Sequence, residues 1–363
     1  MTIIQRPDNY SLSSTIKDFI LNSDASVTFK VMLGTEAILE ETYSPTAAGL
    51  IRIRDLGKLF EAYLTGEFIQ GEQTGLCKTF NFYLNAVASG SVTVLPCKAY
   101  ASAEPNAFWG ENLLTLQYSK KRTIALAKEF QTAYLTPENP LMAKVYYLAE
   151  GVLAESEFVN LLVVTTAGFY TVDASFRKVA LLFNSIPIDA IVSYVAGLPG
   201  AYVEYLVDRE TYLSINNFVF LNSFQVPESI ICRGLVTRKG IVSFDTAKIH
   251  RIERKYNVQR SDTFEVSVGK IFNKDEYRLV REMLSSELVK VFFAGEYRPI
   301  IITEEDMTLI ERPGSFSTVK FTFRFADPLF NVVLADSSFV LEDGTWNDAG
   351  VWYDDGHMND LPE

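Results

Sequence analysis

Histidine is nearly missing from this 363-residue chain, which has two, and cysteine is scarce, with three. Catalysis by a serine or cysteine nucleophile ordinarily needs a histidine base close by. His250 lies in the basic stretch Lys248-Ile249-His250-Arg251 and His357 near the end of the sequence, neither beside a Ser or Cys in a recognisable elbow, and no GxSxG occurs. Zinc sites need clustered Cys and His, phosphate-binding loops need a P-loop or a GxGxxG after a strand, and the sequence holds neither pattern. No catalytic residue, cofactor or metal ligand is therefore expected, and the chain reads as a non-enzyme. Cys77, Cys97 and Cys232 show no CxxC spacing. An odd, sparse set fits buried thiols in a reducing compartment, with a Cys77–Cys97 bridge between neighbouring strands as the alternative.

Long apolar runs are also lacking. The longest, Ile186 to Leu198, is interrupted by Pro187 and Asp189 and is too short to cross a bilayer. The first ten residues have neither a basic leader nor an apolar core, so no signal peptide is expected. Positive charge is in deficit: 33 Lys and Arg against 45 Asp and Glu give −12, the reverse of a nucleic-acid binder's footprint. Paired carboxylates remain as possible acid–base groups. Glu40-Glu41 reads as the solvent face of a strand, and Glu304-Glu305-Asp306 as a turn between two strands.

Aromatics are plentiful, with 26 Phe and 18 Tyr, and favour strands. Val27, Phe29, Val31 and Leu33 alternate with Thr28, Lys30 and Met32, a strand with one buried face. Ala37–Tyr43 reads as its partner and Leu50–Ile53 as another strand. Asp55 then caps a helix with the stripe Leu56, Leu59, Phe60, Tyr63 and Leu64. Alternation resumes at Phe80, Phe82 and Leu84 and at Val92 and Val94. A second segment follows the same order. Lys144-Val145 echoes Lys30-Val31, Val152–Glu155 echoes Ile38–Glu41, and Thr165-Thr166-Ala167-Gly168 echoes Thr46-Ala47-Ala48-Gly49. Ser175 caps a helix with Phe176, Val179, Ala180 and Phe183 inward, and Ala201–Val207 and Phe218–Leu221 read as the closing strands. The matched order points to duplication of one β-sandwich-like unit. The third segment alternates at Phe264, Val266 and Val268, then starts a helix at Asn273 with Tyr277, Val280, Met283 and Leu284 inward. Strands follow at Leu288–Phe293, Arg298–Ile302, Met307–Ile310 and Val319–Phe325.

The expected fold is mainly β: two tandem β-sandwich-like repeats (1–118 and 119–240), then a small α+β domain of one helix on an antiparallel sheet (241–335). An acidic C-terminal arm (336–363) ends the chain. Residues 342–363 hold seven Asp or Glu and no Lys or Arg, in a doubled x-Trp-x-Asp-x-Gly pattern. That pattern lacks the ligand spacing of an EF-hand. Trp346, Trp352 and Tyr353, flanked by Asp348, Asp354 and Asp355, are therefore read as a partner-docking arm. Trp109, in a loop, is the one ligand candidate in the body, for stacking on a sugar, while Phe108 beside it favours the alternative of a buried plug between domains.

Asp8-Asn9-Tyr10-Ser11-Leu12-Ser13, Ile51-Arg52-Ile53-Arg54-Asp55-Leu56 and Phe218-Val219-Phe220-Leu221-Asn222-Ser223-Phe224 are similar to prophage-encoded proteins of gut bacteria. Phe321-Thr322-Phe323-Arg324-Phe325-Ala326-Asp327-Pro328 resembles the sheet-ending pattern of phage distal-tail and baseplate proteins. The resemblance implies a structural protein of the virion, made in the bacterial cytoplasm, forming a homo-oligomer and binding other tail or baseplate proteins. The duplicated N-terminal half departs from the distal-tail layout, which places its ring-forming part first. The competing expectation is a carbohydrate-binding or adhesion module working through exposed aromatics.

Overall fold

Alternating apolar residues on short strands demand a second layer to cover them, and the chain meets that demand three times. The computed structural model describes residues 1–98, 113–115, 120–125, 127–212, 214–249, 252–271, 274–308 and 318–327. The architecture is mainly β, with several sheets and three α-helices among these residues.

The first unit contains β1 (Thr2–Gln5), β2 (Tyr10–Leu12), β3 (Phe19–Asn22), β4 (Val27–Leu33), β5 (Glu36–Tyr43), β6 (Leu50–Ile53), α1 (Leu56–Glu61), β7 (Gly71–Glu72), β8 (Lys78–Leu84) and β9 (Val87–Leu95). One sheet runs β2-β9-β8-β4-β5 and a smaller one β1-β3-β6. Phe19, Phe29, Phe60, Phe80 and Phe82 fill the space between them. Phe60, from α1, stacks on Phe80 at 4.1 Å between centroids, so the helix closes the sandwich. Asp55 precedes that helix but makes no capping bond, because its backbone is left-handed at φ 59°.

The second unit contains β10 (Lys120–Ile124), β11 (Phe130–Leu135), β12 (Leu141–Ala149), β13 (Val152–Glu155), β14 (Val159–Leu162), β15 (Gly168–Asp173), α2 (Phe176–Leu182), β16 (Ile191–Leu198) and β17 (Ala201–Asp208). Its larger sheet runs β10-β17-β16-β12-β13, with β14 also on β12, and its smaller one β11-β15-β7. The order of the first unit thus recurs strand for strand in the larger sheet. The first strand of each lies parallel to the last, β2 on β9 and β10 on β17, while the other neighbours are antiparallel. A cross-strand ion pair recurs too, Lys30–Glu40 at 2.9 Å and Lys144–Glu155 at 2.8 Å. Ser175 occupies the N-cap position of α2 without a side-chain bond, and its N–H is held by Asp173 Oδ1 at 3.0 Å.

The closing strands of this unit are β16 and β17, which corrects the reading of Phe218–Leu221. Ile191–Leu198 hid its strand character because it is buried on both faces and so does not alternate. Phe218–Leu221 instead belongs to β18 (Asn216–Leu221), in the third sheet. That sheet adds β19 (Pro227–Cys232), β20 (Val236–Ile249), β21 (Ile252–Ser267), β22 (Val289–Phe293), β23 (Glu296–Thr308) and β24 (Thr318–Phe325). Its order is β19-β18-β22-β23-β24-β21-β20, antiparallel throughout. α3 (Lys274–Ser285) packs Leu279, Val280 and Met283 against it, over Phe218, Phe264, Phe321 and Phe323. Asn273, expected to cap this helix, lies outside the described residues.

Two further corrections concern this sheet. Glu304-Glu305-Asp306 is no turn: it runs within β23, beyond a register shift between Ile302 and Glu304, with all three side chains exposed. Residues 236–267 are one long hairpin, crossing the boundary expected at 240/241.

The three units meet around Leu12, Leu76, Leu95, Leu114, Phe169 and Val226. Gly66 explains how close the approach is. A Cβ there would lie 1.6 Å from the Gln225 carbonyl oxygen in the β18–β19 turn. Gly66→Ala is expected to push these segments apart and cost about 1–3 kcal/mol, measured as a lowered urea midpoint with an unchanged fold by circular dichroism.

Candidate assembly interface

Lys121 sits in a run, Lys120-Lys121-Arg122, that reads as a solvated face, yet it is buried. Strand alternation on β10 turns it inward toward β19. Its ammonium meets Glu129 Oε2 at 2.5 Å and donates to the Ser229 carbonyl oxygen at 2.6 Å. Ser229 Oγ donates to the same Glu129 oxygen at 3.0 Å. Lys121 and Glu129 belong to the second unit and Ser229 to the third sheet, so the contact ties the two together.

Neighbouring polar groups extend the seam. Asn222 Nδ2 donates to the Leu114 carbonyl at 3.0 Å and to Glu228 Oε2 at 3.0 Å. Asp208 Oδ2 lies 3.3 Å from Arg233 and 3.9 Å from Arg122, and accepts from the Tyr212 hydroxyl at 2.6 Å. Gln131 Nε2 donates to the Tyr205 hydroxyl at 2.9 Å, and Tyr205 stacks on Tyr194. The shallow cleft beside the seam, lined by Arg122, Arg233, Lys270 and Glu276, has its arginines balanced by Asp208.

Burial governs the titration here. Loss of solvent pushes the Glu228 carboxyl up to about 8, against the opposing pull of Lys121 and the bond from Asn222. Burial also raises the Cys77 thiol to about 12 and the Cys232 thiol well above its ordinary range. Cys77, Cys97 and Cys232 form no disulfide, so the Cys77–Cys97 bridge is not made. Thiols held protonated in this way are poor nucleophiles at neutral pH. Among the described residues no three His, Cys, Asp or Glu side chains are gathered to hold a metal ion. Nor is any helix long and apolar enough to cross a membrane.

The docking candidates Trp346, Asp348, Trp352, Tyr353, Asp354 and Asp355 lie outside the described residues, as do Trp109, His250 and His357. Two surfaces emerge that the sequence reading did not single out. One is the tip of the β12–β13 hairpin, where Leu148 faces Leu153 and Ala149 faces Val152. Leu148, Val152 and Leu153 are 47%, 69% and 62% exposed, at the outer edge of the larger sheet. The other is the β20–β21 hairpin. β24 covers β21 only along Phe264–Ser267, so the hairpin continues beyond the sheet as a two-stranded ribbon. Ile241, Val242, Phe244 and Ile252 are exposed on it.

No known protein family matches the sequence, and no curated protein does. Among solved structures, a chain in the "Tail of empty GTA particle computed with helical refinement, C6 symmetry" is similar to part of the protein. The match covers 26% of this chain and 76% of that one, at 11% identity and a TM-score of 0.20. A likeness that weak leaves the family open.

The seam generates two predictions. Lys121→Met leaves the buried Glu129 carboxyl with the Ser229 hydroxyl but without its ammonium partner, and is expected to cost about 3–5 kcal/mol. Adding Glu129→Gln should restore most of that, as measured by chemical denaturation of both variants. Glu228 binds its proton more tightly folded than unfolded. Its contribution is therefore complete below the ordinary carboxylate range near 4.5 and is lost as pH rises through about 8. Glu228→Gln should raise Tm by a few degrees at pH 8, on the order of 1–2 kcal/mol, and leave it nearly unchanged at pH 4.5.

Proposed function

We propose that this chain is a non-enzymatic structural protein of a phage tail or baseplate, assembling through its β-units with copies of itself and with other tail proteins in the virion. The observation that carries the reading is the apolar β12–β13 tip on an open sheet edge. An edge strand presents unpaired N–H and C=O groups, and soluble proteins usually blunt such edges with charge, proline or cover. Here the edge carries Glu150 in its turn and Glu155 at the far end of β13, and between them it exposes Leu148, Val152 and Leu153, an apolar cluster fit to be buried by a neighbouring subunit. The sequence resemblance to prophage-encoded and distal-tail proteins supports the same reading. So does the character of the buried ionic groups along the seam, which bind one another and join units of the chain. In this role the protein supplies rigid β-units and complementary edges, and performs no bond chemistry.

Mass photometry of the purified full chain tests this. Wild type is expected to populate species above the 40.8 kDa monomer as concentration rises. Val152→Lys/Leu153→Lys should shift it back to monomer without loss of β signal in circular dichroism. A wild-type chain that stays monomeric at high concentration and captures no tail protein would overturn the proposal.

A further inference from the structure

The exposed ribbon formed by β20 and β21 is basic in an acidic protein. Residues 236–263 carry seven Lys or Arg and three Asp or Glu, in a chain whose net charge is −12. An isolated two-stranded hairpin is marginal in water, and this one also exposes Ile241, Val242, Phe244 and Ile252. Arg238 binds Asp262 and Lys239 binds Glu265 at the ribbon's base, next to the sheet. Toward the tip, Arg254 is exposed, and Lys255 lies 3.8 Å from the centre of the Phe244 ring. The tip therefore offers cations beside apolar side chains.

The chain itself contains a segment of complementary chemistry. Residues 342–363 have seven carboxylates, no Lys or Arg, and Trp346, Trp352 and Tyr353. The topology delivers the chain to the right place. β24 runs antiparallel to β21 with Phe323 opposite Phe264, so its C-terminal end, Phe325, lies where β21 leaves the sheet to become the ribbon. From Asp327 to Glu342 there are fifteen residues, a reach of up to about 50 Å when extended. The ribbon from Asp262 to Ile252 is about 33 Å long. We propose that residues 342–363 dock on the β20–β21 ribbon of their own chain, their carboxylates meeting Arg254 and Lys255 and their aromatic rings covering Ile241, Val242 and Phe244. The tail then shields the ribbon's open edge. This arrangement is independent of the virion reading, because it is complete in a monomer.

The test uses the full chain carrying Trp109→Phe, so that Trp346 and Trp352 alone report. At low salt their emission should be blue-shifted and protected from acrylamide, with quenching several-fold weaker than in urea. Arg254→Glu/Lys255→Glu in the ribbon, and Asp354→Asn/Asp355→Asn in the tail, should each raise quenching toward the urea value, with circular dichroism unchanged. Salt near 0.5 M should act in the same direction, since exposed pairs are screened. The protection should be the same at high and at low nanomolar protein concentration. Tryptophans already quenched as in urea, or protection indifferent to both charge variants, would overturn the proposal. Protection that vanishes on dilution would overturn it as well, by assigning the ribbon's occupant to a second copy.

Discussion

A buried ammonium joins two sheets that have no strand in common. Lys121 leaves β10, crosses the gap to β19 and is held by Glu129 on one side and the Ser229 carbonyl on the other. Taking two charges out of water is expensive, and the cost is offset only when geometry and further hydrogen bonds satisfy both. The arrangement therefore tolerates one relative placement of the second and third units. Asn222, Gly66 and the Leu12–Val226 cluster depend on that placement, because each contributes to a contact between units.

The recurrence of one strand order in the first two units bears on function through what lies at the matching positions. In both, the pair that recurs is a surface Lys–Glu bridge across neighbouring strands, and the helix that recurs fills the core with apolar side chains. What differs is the outer hairpin. The β4–β5 hairpin carries Glu36, Glu40 and Glu41, while β12–β13 presents Leu148, Val152 and Leu153.

Charge is divided just as unevenly. The last 22 residues hold seven of the carboxylates, while the ribbon concentrates cations on a projecting element. Opposite charges so segregated steer encounter and fix register more than they add affinity. The apolar side chains beside them supply the area that binding needs.

Alternation and helical spacing are local properties, and they made β4, β5, β6, β8, β9, α1, α2 and the inward face of β24 legible from the amino acids alone, together with the mainly-β class. The scarcity of histidine and cysteine likewise narrows the chemistry from the amino acids alone. Three features were decided only by tertiary structure. β16 is covered on both faces, which erases the period that would reveal it. β18 looks like the close of the second unit in sequence, but pairs with β22, more than sixty residues later, because the apolar face of the third sheet needs it there. Lys121 reads as solvated beside Lys120 and Arg122. Its burial follows from Glu129 and Ser229, one of them 108 residues away. Non-local pairing leaves no mark on the short-range pattern of either partner, and for that reason the strands were readable from the sequence while the seam that joins them was not.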